Sequence, residues 1–332
     1  MTANSKRNIK VDQLRGWLIL LVIIGHIVLG TVHDNPIRYA IYAFHMPIFI
    51  ALSGFLINPR SLRESAMTSI LARYSRRVLM PFLLAFIFFT GVLAVHAWQE
   101  GRFGAEWALS HLITPYYHLW FIPTLVIWVI AYAFILKLKF PLWLVLTVSF
   151  LVSFIWAAAP LTGLVEPLQF LLDKKVVYFF LFFMFGVWLR VKSPKRLADL
   201  ADTFNLPLFA AIAVAFISYL FAIGESPTPA RAVAWLALNL LGFIFCWHWF
   251  KTKSKQSPAW FGSLLSDMGR LSLPIYLWHV VPMFILKGFN VHSSQILIYY
   301  AVSIMSCALI VWLIIRLENH SPLLGRWLYG QV

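Results

Sequence analysis

Arg15 and His26 stand eleven residues apart in DQLRGWLILLVIIGH, a segment apolar enough to lie in lipid. At about 100° and about 1.5 Å per residue, that spacing returns to within about 20° of the same helix face some 16 Å further along. A guanidinium grips phosphate through paired donors, and an imidazole takes or gives a proton near neutral pH. Ionisable groups inside a bilayer are costly and tend to mark a pathway or a site. The spacing therefore predicts a passage that begins at an anion by the inner surface and ends at a proton acceptor. The plainer reading, an interface anchor plus a hydrogen-bonded packing residue, stays open at this point.

Other residues invite the same question. His45, in YAFHMPIFIALSGFLINP, falls at the depth of His26 if the first two helices are antiparallel neighbours, so two imidazoles are expected to meet. Ser53-Gly54, lower on the same helix, offers a small surface for close helix approach. Arg73, Arg76 and Arg77 precede the third apolar block and share a face on an ordinary α-helix, as either a phosphate-binding cluster or a positive-inside stop. His118, Trp120 and Phe121 crowd the turn TPYYHLWFIPTL, as ligand contacts or as an interfacial aromatic belt. His279 sits in GRLSLPIYLWHVVP, either in the same cavity as His26 or simply packed.

The elements that must position these residues are membrane helices. The chain has 332 residues, 61% of them apolar and 12% charged, too little polar surface to coat a soluble globule of that size. Its apolar residues come in blocks of roughly 17 to 22, the length a helix needs to cross about 30 Å of hydrocarbon. Ten spans are predicted, at 14–32, 38–57, 78–97, 119–136, 141–158, 175–190, 206–223, 231–250, 272–287 and 296–315, in one membrane domain over residues 1–332. Asn58-Pro59-Arg60, Pro141, Ser193-Pro194 and Ser226-Pro227-Thr228-Pro229 punctuate the gaps. The expected fold class is all-α, a polytopic helix bundle with both termini cytoplasmic.

Charge supports that topology. Of the 27 lysines and arginines, all but Arg38, Arg102, Lys174, Lys175, Arg231 and Lys287 fall on inner segments if the N-terminus is inside. The formal charge of +15 is scattered over six such segments, so anionic lipid rather than nucleic acid is the expected partner. The first apolar block is too long for a signal peptide and lacks a small-residue cleavage signal, so it is expected to stay in the mature protein. Cys246 and Cys307 fall within spans and read as small apolar residues. No HExxH or dense Cys/His spacing suggests a metal, and no phosphate loop or GxSxG elbow is present. Carboxylates are nearly absent from the spans, with Asp12 and Glu318 at edges and Glu166 and Asp173 in an outer loop.

As an ordered set, Asp12-x-Leu14-Arg15-Gly16 with Arg-x10-His, FHMPIFIALSGFL, Arg73-x-x-Arg76, HLWFIP and LPIYLWH resembles the bacterial integral-membrane acyltransferase family three, whose members O-acylate surface polysaccharides. The HLWF and FHMP forms look most like its sugar O-acetylase branch, which includes fucose acetylases. The resemblance implies ten spans in the bacterial inner membrane, acetyl-coenzyme A arriving from the cytoplasm, and a hydroxyl of a surface or lipid-linked glycan as acceptor. It places His26, as general base, with Arg15 and His45 in the catalytic group. It puts Arg15, Arg73, Arg76 and Arg77 on coenzyme A phosphates, and His118, Trp120, Phe121 and His279 on substrate. A covalent acyl-histidine is an alternative to direct transfer. Two rival functions need weighing, a transporter or flippase of a lipid-linked glycan and a non-enzymatic scaffold. The scarcity of intramembrane carboxylates and of internal repeats weighs against transport.

Overall fold

The computed structural model describes residues 8–113, 115–116, 118–158, 174–192, 206–224, 228–252, 258–288, 295–318 and 320–330. The inner charges Lys6, Arg7, Lys195, Arg196, Lys253 and Lys255, the Ser193-Pro194 and Ser226-Pro227 breaks, and the outer-loop Glu166 and Asp173 lie outside them. Among the described residues there is no strand. In chain order the helices are α1 (Ile9–Ile27), α2 (Pro36–Phe55), α3 (Pro59–Glu64), α4 (Met67–Tyr74), α5 (Met80–Gln99), α6 (Ala105–Ile113), α7 (Phe121–Lys137) and α8 (Leu142–Ala158). They continue with α9 (Lys174–Tyr178), α10 (Phe180–Lys192), α11 (Leu206–Ile223), α12 (Pro229–Thr252), α13 (Ala259–Arg270), α14 (Ser272–Trp278), α15 (Val281–Gly288), α16 (Ile296–Leu317) and α17 (Pro322–Trp327). The protein is an all-α membrane helix bundle.

Each of the ten predicted stretches is mostly helical, although the first ends at Ile27 and not every one is a single long apolar rod. Among the described residues four helices are long and apolar enough to cross a membrane: Pro36–Phe55, Met67–Gln99, Pro229–Trp249 and Ile296–Leu317. Phe121–Lys137, Leu142–Ala158 and Phe209–Ile223 are shorter apolar helices. The opening helix α1 carries Lys10, Asp12 and Arg15 in its first two turns, which sets it apart from these. The predicted ninth span is the second limb of a pair, Ala259–Arg270 and Ser272–Leu286, bent by 77°.

The helices gather into two compact units, one of Met1–Leu52, Ser193–Ser226 and Ala234–Arg316, the other of Ser53–Lys192, Pro227–Val233 and Leu317–Val332. In the first, α1 starts where the Asn8 side chain accepts from the backbone N–H groups of Lys10 and Val11. It lies against α13 at backbone distance. A Cβ on Gly16 would stand 1.9 Å from the Leu265 carbonyl oxygen, and one on Gly269 would stand 1.7 Å from that of Asp12. The glycine of the opening motif is thus the point where two helices touch main chain to main chain.

On the other side of this unit, Ala43, Leu220, Ala234 and Leu238 form a core between α2, α11 and α12, flanked by Tyr39, Phe216 and Trp235. Pro47 lies inside α2 and has no N–H to give the carbonyl four residues back, that of Ala43. The fully buried Asn239 supplies the missing donor, its Nδ2 reaching the Ala43 oxygen at 3.0 Å and the Trp235 oxygen at 2.9 Å. Asn239→Leu should therefore lower stability by about 1–3 kcal/mol, the cost of an abandoned buried carbonyl. Thermal unfolding of the solubilised protein would show it. The loss should shrink in a Pro47→Ala background, where α2 regains its own donor.

In the second unit, α3 and α4 pack on α7, α10 packs on α8, and α17 packs on α5. The break between α9 and α10 leaves carbonyls that Trp128 Nε1 and Ser153 Oγ take up, at Val176 (2.6 Å) and Tyr178 (2.7 Å). Gly54, expected to permit close packing, does so: its Cβ would lie 2.0 Å from the Phe183 carbonyl oxygen.

Candidate functional site

Arg15 and His26 both face one neighbouring segment. Arg15 Nη2 donates to Ser272 Oγ at 2.8 Å, at the start of α14, and the His26 ring lies 5.1 Å from that of His279, at its end. Ser272 is 2% and His279 0% exposed, while Arg15 and His26 are half-buried. The contacts follow the same order along both segments, so α1 and α14 run in parallel, as the predicted first and ninth spans do.

His26 has a second neighbour. The Tyr42 hydroxyl stands 3.4 Å from His26 Nδ1, with the two rings edge to face at 6.0 Å. On its other side the Tyr42 ring meets His45 at 5.1 Å. The expected approach of His26 and His45 is thus mediated by a tyrosine. The two buried histidines have defined tautomers. His45 Nδ1 is 2.6 Å from the Ile41 carbonyl, and His279 Nδ1 is 3.1 Å and 2.8 Å from those of Ile275 and Tyr276. A carbonyl can only accept, so Nδ1 carries the hydrogen in both and Nε2 is the acceptor nitrogen. His26 is half-buried and lies against a hydroxyl instead, so it is the one of the three whose tautomer a side chain can set.

The remaining predicted residues belong to the second unit. Arg73 turns toward α3, its Nη1 and Nη2 donating to Ser61 Oγ (3.1 Å) and Ser65 Oγ (3.3 Å). Arg76 and Arg77 are exposed on a π-helical turn, Ser75–Leu79, between α4 and α5. That turn changes the angular register that an unbroken α-helix would give these three arginines. His118 is buried with its ring against Phe89 (5.1 Å) and Tyr116 (5.9 Å). Phe121 is buried, whereas Trp120 is half-buried, stacked on Phe179 at 5.7 Å with Lys175 Nζ 5.0 Å above its ring.

A membrane bundle with a guanidinium and an imidazole on one helix face, both against LSLPIYLWH, fits the resemblance carried by the motifs. The acyltransferase-domain family, acyltransferase family three, matches residues 8–316. The chain belongs to this family. Among curated proteins it is similar to the nodulation protein NolL of Sinorhizobium fredii, 34% identical over 108 residues that make up 27% of this chain and 29% of that one. It is also similar to the nodulation protein NolL of Mesorhizobium japonicum, 35% identical over 86 residues, 24% of this chain and 23% of that one. The chain thus spans less than a third of the length of these relatives. No solved structure matches it significantly.

Within this family member, Ser272 and Tyr42 are the site neighbours that sequence reading passed over. Serine and tyrosine are common in membrane helices, and only the pairing of α1 with α14 and α2 singles them out. Asn239 had a usable signal, because a proline inside a span leaves a carbonyl that another helix must satisfy.

Proposed function

We propose that this chain is an integral-membrane O-acetyltransferase that moves an acetyl group from cytoplasmic acetyl-coenzyme A to a hydroxyl of a surface or lipid-linked glycan, in the bacterial cytoplasmic membrane. Family membership supports the reaction class. The observation that carries the assignment of residues is the engagement of Arg15 and His26 with the two ends of one segment, Ser272 and His279. Arg15, oriented by Ser272, is the proposed ligand for coenzyme A phosphate at the inner end. His26 is the proposed general base at the outer end.

The step balances as a direct transfer. The acceptor oxygen forms a bond to the acetyl carbon as its proton passes to His26, the bond from that carbon to sulfur breaks, and the departing thiolate takes a proton back from the imidazolium. Free coenzyme A and an O-acetyl ester result. In the second unit, Arg73, Arg76 and Arg77 are proposed phosphate ligands, and Trp120, with His118 and Phe121 behind it, a proposed contact for acceptor or acyl chain. His45 and His279, each locked to a backbone carbonyl, are proposed to shape the wall around His26. Ten crossings with both termini cytoplasmic complete the proposal, with the inner charge excess as its support.

The test uses membranes from cells that lack the gene, with and without the protein restored. Radiolabelled acetyl-coenzyme A is expected to label membrane glycan only when the protein is present. Absence of transfer across the glycan fractions of the native host would defeat the reading. Arg15→Ala is expected to raise KM for acetyl-coenzyme A roughly 10- to 100-fold, the equivalent of one charge-assisted hydrogen bond of about 1.5–3 kcal/mol. A thermal shift by coenzyme A should weaken in parallel.

A further inference from the structure

The connection between α1 and α2 is pinned more heavily than a surface turn requires. Asn35 Oδ1 accepts from the backbone N–H groups of Ile37 (3.0 Å) and Arg38 (3.1 Å) at the start of α2, and its Nδ2 donates to the Leu29 oxygen at 2.9 Å. The Leu29 N–H donates to the Tyr300 hydroxyl at 3.2 Å. Arg38, only 9% exposed, sends Nη1 to the carbonyl oxygens of Val28 (2.9 Å) and Gly30 (2.7 Å), in the turn just past the C-terminal end of α1. A cation there also opposes the negative end of the helix dipole.

That same guanidinium lies over the ring of Tyr42, with its central carbon 5.3 Å from the ring centroid. Tyr42 is thereby held between Arg38 over its face and the His45 ring set edge to face with it, and its hydroxyl lies 3.4 Å from His26 Nδ1. The chain of contacts runs from the end of α1, through Arg38 and Tyr42, back to a side chain of α1 itself. Such a closed path fixes a distance that two independent helices would let vary.

We infer that Tyr42, seated by Arg38, is a positioning residue for His26. In this arrangement the Tyr42 oxygen accepts the Nδ1–H of His26, which makes Nε2 the nitrogen without a hydrogen and therefore the basic one. When Nε2 takes the proton of the acceptor hydroxyl, the imidazolium keeps its Nδ1–H on Tyr42, and the proton leaves again from Nε2 to the coenzyme A thiolate. Tyr42 itself is never deprotonated. This assignment rests on the reading of His26 as the general base, and it gives a role to a residue that the motifs did not single out.

The deciding variant is Tyr42→Phe, which keeps the ring against Arg38 and His45 and removes only the hydroxyl. Release of coenzyme A from acetyl-coenzyme A is followed with membranes of the gene-deleted host as acceptor source. Turnover at saturation is expected to fall roughly 10- to 100-fold, as when other functional imidazoles lose the partner that orients them. KM for acetyl-coenzyme A and the thermal midpoint should stay as in the parent protein, a split that a packing role would not produce. Arg38→Ala is expected to lower turnover by the same route, so the double variant should be little worse than Tyr42→Phe alone. Full turnover in Tyr42→Phe beside an inactive His26→Ala overturns the inference and leaves the base in place. Full turnover in both removes the base as well, and independent, multiplying losses in the double variant overturn the link through Arg38.

Discussion

With His26 as the proposed general base, His26→Ala is expected to abolish the proposed acetyl transfer, lowering turnover by about 10²–10⁴-fold or more, the usual contribution of a positioned base. Alanine removes the only half-buried imidazole of the three that meet around Tyr42 and α14, and neither His45 nor His279 can replace it. Their Nδ1–H groups are tied to carbonyls of their own helices, and they are 3% and 0% exposed. The variant should still fold, because the close main-chain approach of α1 to α13 lies at Asp12 and Gly16, about three turns or more from His26. Coenzyme A should still shift its melting, since the proposed phosphate ligand Arg15 lies about three turns away. The measurement is label transfer beside coenzyme A binding in the same preparation. Transfer at the parent rate would end the role proposed for His26, and loss of binding along with transfer would show that the variant had disturbed the whole helix.

Gly16→Ala and Gly269→Ala are expected to have the largest structural effects. In each the new methyl would meet backbone on the opposite helix, that of Leu265 or of Asp12, well inside contact distance. Backbone cannot rotate aside as a side chain can, so α1 and α13 must separate. Overpacking of this kind costs about 1–3 kcal/mol or more. Arg15 neighbours Gly16 in sequence, and its bond to Ser272 would shift with the helix, so binding of the proposed donor, acetyl-coenzyme A, should weaken along with stability. Gly91→Ala provides the comparison, because nothing stands within 4 Å of a Cβ there and the variant should behave as the parent. Thermal unfolding with and without coenzyme A distinguishes the three. Equal midpoints would show that the α1–α13 approach is looser than these distances say.

Periodicity and composition carried the all-α membrane class and the common face of Arg15 and His26, because both follow from properties local to one helix. Helical rise and angle per residue do not depend on what the helix packs against, and lipid demands long apolar runs of any span. The residues that carry the family resemblance lie within the matched region, and the small surface at Gly54 is a close contact, since a missing side chain is visible in any sequence.

Relations between helices were decided by the tertiary structure alone. Residues 259–270 read as an inner connection because twelve amphipathic residues are too few and too mixed to suggest a span, yet α13 supplies the surface on which α1 rests. The π-helical turn under Arg76 and Arg77 leaves no mark in composition, so ordinary helical spacing placed them on the face of Arg73. His26 meeting His279 across 253 positions, with Tyr42 between His26 and His45, depends on which helices become neighbours. Neighbour choice rests on main-chain contact at a few small residues and on where broken helices leave carbonyls, and those are properties of the packed bundle rather than of any one segment.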